Sequence, residues 1–347
     1  KKAFMIKMKI MYVDLQFDYG IEARGKNYIG LDGFKTSMEA LGHVVVPFFY
    51  DHYLNDLEKL QVDILDFSES CKPDLIFFCL FQNQFEHQTL LTLKNKFKTI
   101  NWFGDDQWRF DSFSRHYAND FSWCITTDQF SINSYHAIGQ KNVVYSQWAA
   151  IDTHLDLLNV NKSSDTEEYI YDVSFVGGYH PYRKWFIHEL EKKGIKVIVY
   201  GNGWPNGALT AEDMTELFKR SRINLNLSNS MSWDLRYMIS SPRSFISLGK
   251  SLLGKGVKNA SQIKARNFEI PFFGGFQLTE YVPSLENYFD IGKNITCYIT
   301  PDDAFTQIQY YLENESHREK IKKSGVTLAR KNHGYINRFK EIFEGIL

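Results

Sequence analysis

The chain has 347 residues, 44% of them hydrophobic and 16% aromatic, so it can bury more than one core. Its 40 basic and 41 acidic residues give a net charge of −1, which disfavours nucleic-acid binding because such proteins usually carry a basic excess. Four scattered cysteines without a C-x-x-C pair disfavour a disulfide scaffold or structural zinc and are typical of a reducing cytoplasm.

The N-terminal sequence KKAFMIKMKIMYVD predicts a first strand, because it lacks the long apolar region and cleavage site of a secretion signal. No other stretch approaches the length of a membrane span. The terminal helices carry many basic side chains, but acidic residues dilute them. We therefore expect a cytoplasmic protein with at most peripheral contact at the inner face of a membrane.

The first half of the chain alternates strand patterns with amphipathic helical patterns, which predicts a parallel sheet covered by helices. The expected strands are Ile6–Val13, His43–Phe49, Leu75–Leu80, Thr99–Phe103, Trp123–Thr126 and Val143–Ser146. The expected helices include Tyr28–Leu41, Gln84–Phe97 and Gln129–Ile138.

A polar stretch from about Asp152 to Glu168 has no periodicity and is interpreted as a linker. A second β-α series follows it. Its predicted elements are Tyr171–Val176, Tyr182–Lys193, Lys196–Tyr200, Ala211–Ser221 and Ile223–Leu227, then helices over Asp302–Gly325 and Leu328–Phe343. The sequence thus predicts two Rossmann-like α/β domains, 1-155 and 169-327, and a C-terminal helix at 328-347.

The segment NWFGDDQWRFDSF follows the fourth predicted strand and places Asp105 and Asp106 at its carboxyl end, beside Trp108. Carboxylates in an aromatic environment are poorly solvated, so their pKa rises and they can act as general bases. The alternative is a helix that begins with an aspartate cap next to core tryptophans. Asp106 and Asp105 are therefore candidate catalytic residues, and Trp108 and Arg109 are candidate acceptor contacts.

The segment DVSFVGGYHPYRKW opens the second domain with a strand, the turn Gly177-Gly178 and a helix that begins near Pro181. A glycine turn before a helix N-terminus can bind an anion, and Arg183 can hold a phosphate or lie on a solvated face. The next strand ends in Tyr-Gly-Asn202-Gly without an acidic residue, and G-x-G-x-x-G is absent. A nicotinamide dehydrogenase is therefore disfavoured.

The stretch QIKARNFEIPFFGGFQLTEY contains the densest group of candidate functional residues. It combines the cations Lys264 and Arg266, the carboxylate Glu269, the turn Gly274-Gly275 and the hydroxyl of Thr279. Cations neutralise a diphosphate, a carboxylate accepts hydrogen bonds from a ribose diol, and glycine N–H groups approach phosphate closely. These features suit a sugar-nucleotide donor, although an ordinary amphipathic helix packed on the next strand explains the same pattern.

The pattern R-x-F-E-x-x-x-x-G-G-F-x-L-T-E resembles the C-terminal signature of the spore-maturation (CgeB-like) glycosyltransferases, which have the two-domain GT-B fold. The resemblance covers roughly Tyr171–Ile346 and, more loosely, the first domain. Matching positions in the tail are Leu285, Phe289, Gly292, Tyr311, Leu312, Arg318, Gly325, His333 and Arg338. It implies two Rossmann-like domains that face an interdomain cleft, with the last helix crossing back to the first domain.

By this resemblance, Glu269 binds the donor ribose, Arg266 and Lys264 face the diphosphate, and Thr279 with the Gly274-Gly275 turn lines the phosphate and sugar. Many retaining GT-B enzymes have a second glutamate near the ribose-binding one. Ser261 and Gln277 occupy the two corresponding positions here, so retention does not follow.

The segment DLQFDYGIEARGKNYIGL, which begins at Asp14, resembles the first loop of the same family. Loops at the carboxyl ends of strands meet ligands in doubly wound sheets. Asp18 is therefore a further catalytic candidate, and Tyr19 and Arg24 are candidates for acceptor contacts. The alternative is a surface turn with an incidental charge.

No D-x-D triplet occurs, so we expect no catalytic metal and no cofactor beyond the nucleotide-diphosphate sugar as co-substrate. The predicted function is transfer of a sugar from that donor to a hydroxyl of a glycan, lipid-linked or protein acceptor. One alternative is a non-catalytic carbohydrate- or nucleotide-binding component of a glycan assembly system. Another is a GT-B sugar-nucleotide epimerase, which would interconvert free nucleotide sugars without an acceptor.

Overall fold

The computed structural model describes residues 7–158, 168–227, 234–242, 244, 246, 249 and 260–346. Contacts divide the chain into two compact units. The first unit comprises residues 1–147, 151–153 and 335–347, and the second unit comprises residues 148–150 and 154–334. The last stretch of the first unit begins at Tyr335 rather than at residue 328, because the preceding helix, Glu315–Asn332, still packs in the second unit.

The first unit is built on a parallel six-stranded sheet whose order is β2-β1-β3-β4-β5-β6. The strands are β1 (Lys9–Asp14), β2 (Val44–Phe49), β3 (Leu75–Phe78), β4 (Thr99–Phe103), β5 (Trp123–Thr126) and β6 (Val143–Tyr145). Runs of apolar side chains form these strands because both faces of a parallel sheet are buried. All six agree with the predicted strands to within a few residues.

Helices connect the strands of the first sheet. The α-helices are Thr36–Ala40, Leu57–Cys71, His87–Lys96, Asp106–Arg109, Arg115–Tyr117, Ile132–Ala137 and Tyr335–Ile346. A seven-residue π-helical segment, Ile29–Lys35, precedes the first of them. Short 3-10 segments are Asp18–Gly20, Glu22–Arg24, Tyr50–Tyr53, Ala118–Asp120 and Gln129–Ser131, and Phe110–Ser114 is a second π-helical segment.

The last helix of the chain completes the core of the first unit. Phe339 and Phe343 are fully buried, and the Phe339 ring lies 5.2 Å from Phe34 and 5.6 Å from Phe77 on β3. A Cβ on Gly33 would come within 3.0 Å of the Tyr335 ring, so a small residue is needed at this contact. Aromatic side chains of the Tyr335–Ile346 helix therefore cover one face of the first sheet.

The second unit contains a parallel five-stranded sheet of order β11-β10-β9-β7-β8. The strands are β7 (Tyr171–Val176), β8 (Val197–Tyr200), β9 (Ser221–Asn226), β10 (Gln277–Glu280) and β11 (Thr296–Tyr298). The α-helices are Pro181–Lys192, Ala211–Lys219, Leu235–Met238, Ala265–Phe272, Pro301–Glu313 and Glu315–Asn332. The two parallel, helix-covered sheets confirm the predicted α/β fold class.

Three details of the secondary structure differ from the prediction. The single helix expected over Asp302–Gly325 is two helices that meet at Asn314, and the helix expected from Leu328 begins only at Tyr335. Residues Asp152–Leu158 of the expected linker form a 3-10 segment, whereas residues 159–167 lie outside the described part of the chain. The first two differences arise because local periodicity does not reveal where a helix breaks.

Candidate functional site

The loops after β7 and β8 meet at the carboxyl edge of the second sheet. The N–H of Tyr179 donates to the carbonyl of Asn202 at 2.8 Å, and the Trp204 indole donates to the carbonyl of Gly177 at 2.9 Å. A Cβ on Gly201, whose φ is +143°, would lie 2.1 Å from that carbonyl oxygen. The close approach explains the glycine at 201, and it places Gly177, Gly178 and Asn202, three residues predicted to bind the donor, at one edge of the sheet.

The Arg183 side chain links the loops after β7 and β9 at this edge. Its Nη1 donates to the carbonyl of Gly178 at 2.8 Å and its Nη2 donates to the carbonyl of Leu227, after β9, at 3.1 Å. Burial lowers the pKa of the Arg183 guanidinium, with opposing contributions from Glu280 and Tyr298 and a further lowering from Arg266. Arg183 therefore lies within electrostatic range of Arg266, and its donors are directed to backbone carbonyls.

The helix Ala265–Phe272 precedes β10 and runs antiparallel to it, so its N-terminal turn lies at the same carboxyl edge. Lys264 is the N-cap residue, and its N–H donates to the side-chain oxygen of Asn267 at 3.0 Å. Arg266 and Glu269 form an ion pair at 2.8 Å across one helical turn. The predicted donor residues Lys264, Arg266 and Glu269 are thus brought to the edge that carries Gly177 and Arg183.

The two members of this ion pair differ in exposure. The Glu269 side chain is 3% exposed, and the Arg266 side chain is 25% exposed. Burial raises the pKa of the Glu269 carboxyl, whereas the charges of Arg266 and His154 lower it. The Arg266 guanidinium also contacts Met214 and lies 5.6 Å from the Phe218 ring centre. A cation at the surface therefore covers a buried carboxylate.

Two predicted donor residues, Gly274 and Gly275, are placed elsewhere, and a third, Thr279, is buried near the first turn of the Ala265–Phe272 helix. Gly274 and Gly275 precede β10 and lie at the amino edge of the sheet, opposite to Gly177, so this placement contradicts the prediction that they line the same phosphate site. Gly275 instead permits close packing, since a Cβ there would lie 2.7 Å from the Asn224 amide nitrogen. Thr279 is fully buried, and its hydroxyl accepts hydrogen bonds from Asn226 at 3.1 Å and from Asn267 at 3.0 Å.

In the first unit, the loop after β1 presents a group of exposed side chains. Asp18 and Arg24 form an ion pair at 2.8 Å, and the Arg24 guanidinium lies 4.5 Å from the Tyr19 ring centre. Tyr19 is 56% exposed and has a φ of 55°, a conformation that costs a non-glycine residue free energy. Its ring packs edge-on against Phe81, after β3, at 5.4 Å.

The loop after β4 joins the same group. Arg109 Nη2 donates to the carbonyl of Phe81 at 2.8 Å, and its guanidinium lies 5.6 Å from the Trp108 ring centre and 4.1 Å from that of Phe113. The charge of Asp105 contributes to the raised pKa of Tyr19, after burial and Asp18. The structure therefore brings Asp18, Tyr19 and Arg24 together with Asp105 and Arg109, as loops at the carboxyl ends of three parallel strands allow.

Asp106 and Asp105 are adjacent but occupy different environments. Asp106 is 3% exposed and accepts hydrogen bonds from the hydroxyls of Ser114 at 2.5 Å, Thr126 at 2.6 Å and Tyr135 at 2.8 Å. Burial raises the pKa of Asp106 to about 6, although these three hydroxyls lower it. Asp105 is only half-buried. Of the two, Asp105 is the carboxylate that a solvent-borne ligand reaches in this structure.

A further acidic residue, Asp14 at the end of β1, was not among the predicted site residues. Its carboxylate accepts hydrogen bonds from the Tyr12 hydroxyl, the Leu15 N–H at 2.7 Å and the Asn27 amide at 3.0 Å. Burial raises the pKa of Asp14 to about 7, against the lowering effect of these donors. A Cβ on Gly30 would lie 2.2 Å from the carboxylate, so Gly30 is required by this contact. An aspartate that directly ends an apolar strand is the sequence signal for it.

Two properties of the described residues bear on ligands and membranes. No group of three or more His, Cys, Asp or Glu residues in the described ranges is arranged to hold a metal ion. None of the helices formed by those residues is both long and apolar enough to cross a membrane.

A cavity of about 300 Å³ lies along the Ala211–Lys219 helix, and none of the predicted donor residues lines it.

Comparisons with known proteins agree with this architecture. Residues 183–344 match a sequence family described as glycosyl transferase-like. None of the curated proteins matches the chain. Among solved structures, sucrose-phosphate synthase from Thermosynechococcus elongatus has a TM-score of 0.64 at 8% identity, covering 97% of this chain and 99% of that one. A glycosyltransferase from Rickettsia africae ESF-5 has a TM-score of 0.62 at 10% identity, covering 98% of each chain.

A third similar structure is Anabaena Alr3699/HepE in complex with UDP and glucose, with a TM-score of 0.59 and 12% identity over 98% of this chain and 100% of that one. At such identities the likeness establishes the fold alone. The chain has the fold of GT-B glycosyltransferases, and its matched region, residues 183–344, is glycosyl transferase-like in sequence. The finer resemblance to the CgeB-like proteins stays a prediction.

Proposed function

We propose that the protein is a glycosyltransferase that moves a sugar from a nucleotide-diphosphate donor to a hydroxyl acceptor. The observation that carries this proposal is the Arg266–Glu269 pair at the carboxyl edge of a sheet, within a region whose sequence is glycosyl transferase-like. Open α/β sheets bind their ligands at this edge. Arg183 and Gly177-Gly178 lie at the same edge and supply a further cation and accessible backbone.

The ion pair suggests how the donor is bound. In the structure, Arg266 neutralises the buried Glu269. When a nucleotide diphosphate binds, Arg266 turns to the phosphate oxygens, and Glu269 accepts hydrogen bonds from the ribose hydroxyls in its place. The exchange keeps the buried carboxylate satisfied, which is necessary because an unpaired buried charge is strongly destabilising. In the proposed mechanism, cationic side chains thus neutralise the negative charge of the diphosphate.

In the transfer step, the acceptor oxygen forms a bond to the anomeric carbon of the sugar. The bond from that carbon to the phosphate oxygen breaks, and the nucleoside diphosphate leaves with the electron pair. The acceptor proton passes to a carboxylate, for which Asp105 and Asp18 are the candidates because both are accessible. Tyr19, Arg24, Trp108 and Arg109 are proposed to contact the acceptor.

Nucleotide binding is tested by thermal unfolding with UDP, GDP, TDP and CMP. UDP is the first choice, because UDP occurs in solved proteins of this fold. A ligand at about a hundred times its Kd adds roughly 2.7 kcal/mol, which raises the Tm by about 5–10 °C. The shift should be lost in Glu269→Gln and kept in Glu216→Gln, an exposed acid on the Ala211–Lys219 helix.

Retention of the full shift in Glu269→Gln would refute the donor site. Release of nucleoside diphosphate from the sugar nucleotide then tests the reaction itself. We expect Asp105→Asn or Asp18→Asn to lower this rate by about a hundredfold, which is typical of losing a general base. Donor binding without turnover by the wild type would instead support the non-catalytic alternative.

A further inference from the structure

The cavity along the Ala211–Lys219 helix lies apart from the predicted donor residues. This helix and its C-cap residue form one wall, with lining residues at the spacing of a single helical face: Asp213, Glu216, Leu217 and Arg220. Met214 and Phe218, which contact Arg266, lie on the neighbouring face of the helix. The helix therefore presents one face to the proposed donor site and another to the cavity.

Main-chain hydrogen bonds hold the other walls of the cavity in place. The N–H groups of Ile170 and Tyr171 both donate to the carbonyl of Arg220, at 2.9 Å and 3.2 Å. The carbonyl of Tyr200, at the end of β8, accepts a hydrogen bond from the N–H of Gly177 at 2.9 Å. The backbone of both tyrosines and of the arginine is thus fixed before a ligand binds, which lowers the entropy cost of binding.

The lining combines aromatic rings with hydrogen-bonding groups of both kinds. Tyr171 and Tyr200 are half-buried, so part of each side chain stays accessible. Asp213 is exposed and offers carboxylate oxygens, whereas the half-buried Arg220 offers guanidinium N–H donors. Among the residues that the structure describes, none forms an ion pair or hydrogen bond with the Arg220 guanidinium.

This combination of groups selects among classes of ligand. The carboxylate of Asp213 repels phosphates and other anions. A purely apolar ligand would cover Asp213 and Arg220 without pairing them, which costs free energy. The hydroxyls of a sugar both donate and accept, so they match a carboxylate and a guanidinium together, and the C–H face of the ring packs on aromatic side chains. The lining therefore favours a neutral sugar.

The size of the cavity limits how much of a sugar chain it holds. Its volume of about 300 Å³ is at the lower end of the range of about 300–1,000 Å³ that is typical of ligand pockets. One sugar ring fits this space. Ile170 is 51% exposed and Asp213 is also exposed, so the cavity is open to solvent and further rings of the chain can extend outwards.

We propose that this cavity binds one neutral sugar ring of a glycan chain, apart from the donor site. The ring packs on the side chains of Tyr171 and Tyr200. Asp213 accepts a hydrogen bond from one sugar hydroxyl, and Arg220 donates to the oxygens of others. The site gives the protein an affinity for glycan that requires neither a nucleotide nor transfer.

The proposal is tested by titrating the full chain with maltotetraose, cellotetraose, chitotetraose and mannotetraose, with calorimetry as the readout. We expect at least one of them to bind. Arg220→Gln should weaken that binding at least about tenfold, because hydrogen bonds from a charged donor are lost. Tyr200→Leu, which removes the ring, should weaken it about fivefold. Arg236→Gln replaces a 46% exposed arginine elsewhere in the second unit and should bind like the wild type.

Controls separate this site from the donor site and from damage to the fold. Arg220→Gln and Arg236→Gln should both melt at the wild-type temperature, because each replaces a partly exposed side chain. Glu269→Gln should lose the thermal shift with UDP and keep the affinity for the tetrasaccharide. Retention of UDP binding in Glu269→Gln would therefore refute the donor site alone.

Three results would overturn the sugar site itself. One is that none of the four tetrasaccharides binds. Another is that binding persists in Arg220→Gln and disappears in Glu269→Gln, which would place the sugar at the donor edge. The third is that tetragalacturonate binds more tightly than every neutral tetrasaccharide, which would show that Arg220 selects an anion.

Discussion

Asp106 in the first unit and Glu269 in the second unit are both buried carboxylates next to predicted ligand positions, yet different partners hold them. Asp106 accepts hydrogen bonds from three neutral hydroxyls, two of them distant in the chain. Glu269 instead forms its ion pair among the described residues with Arg266, which is itself 25% exposed. Three fixed donors make Asp106 part of the core, whereas a partner at the surface can be exchanged for a ligand. The difference separates a structural acid from a binding acid.

The largest expected effect is that of Asp106→Ala. It leaves the hydroxyls of Ser114, Thr126 and Tyr135 buried without their acceptor, and we expect a loss of about 3–5 kcal/mol in the free energy of unfolding. Urea denaturation measures this loss. Folded Asp106→Ala protein should keep its rate of transfer, and a stable variant without turnover would show that Asp106 is the reacting base.

The next largest effect is the pH dependence of the free energy of unfolding, to which Asp14 contributes most. Its folded pKa of about 7 lies above that of the unfolded chain, so the protonated folded form is favoured. The stabilisation is fully present below about pH 4 and is lost as the pH rises to about 7, by roughly 4 kcal/mol at most. Asp106, with a folded pKa of about 6, adds a smaller loss that ends at a lower pH.

Asp14→Asn should remove most of this slope between pH 4 and 7, as measured by urea denaturation across a pH series. Asp111→Asn is the matched control, because that carboxylate in the same unit is 87% exposed. If the slope of Asp14→Asn equals that of the wild type, Asp14 does not titrate as a buried acid in the folded protein.

An asymmetry is expected within the Arg266–Glu269 pair. Arg266→Ala leaves the 3% exposed Glu269 without its cation and should cost about 2–4 kcal/mol, whereas Glu269→Ala leaves an arginine that water can solvate and should cost about 1 kcal/mol. Unfolding of the two single variants by urea at neutral pH measures both costs. Equal costs would mean that the ion pair is open to solvent on both sides.

The smallest effect on stability is expected for the exposed pair Asp18–Arg24. Its side chains are 36% and 42% exposed, so Asp18→Asn should change the free energy of unfolding by less than about 1 kcal/mol. Its rate of sugar transfer should nevertheless fall, since Asp18 is a proposed acceptor-side base. Asp63→Asn, in the similarly exposed pair Lys59–Asp63, should leave both quantities unchanged.

The strands could be predicted because their apolar runs are determined locally. The predicted Thr99–Phe103, Trp123–Thr126 and Tyr171–Val176 agree with the structure at both ends. Whether adjacent side chains point into the core or towards solvent could not be predicted from the sequence, because it depends on residues that are distant in the chain. Asp106 lies inside the unit because Tyr135, 29 residues further on, contributes a hydroxyl to it, and the sequence does not distinguish it from Asp105.

In the candidate site, too, local features could be predicted and contacts between distant residues could not. A glycine turn can serve a phosphate or a close packing contact, and only the position in the sheet decides which. Gly177 follows β7 and Gly274 precedes β10, so equivalent sequence signals lie at opposite edges. The contact of Gly30 with Asp14 and Asn27 joins residues in three-dimensional space that no short motif links. The sequence therefore predicts candidate residues better than it predicts which residues contact them.

The placement of the Tyr335–Ile346 helix has a consequence for synthesis on the ribosome. About 190 residues separate Gln147 from Tyr335, so the end of the first unit is made roughly 10 to 40 s after its sheet. During that interval the aromatic surface formed by Phe34 and Phe77 lacks its covering helix. The first unit is thus begun before the second unit and completed after it, and a chaperone can shield this aromatic surface during the interval.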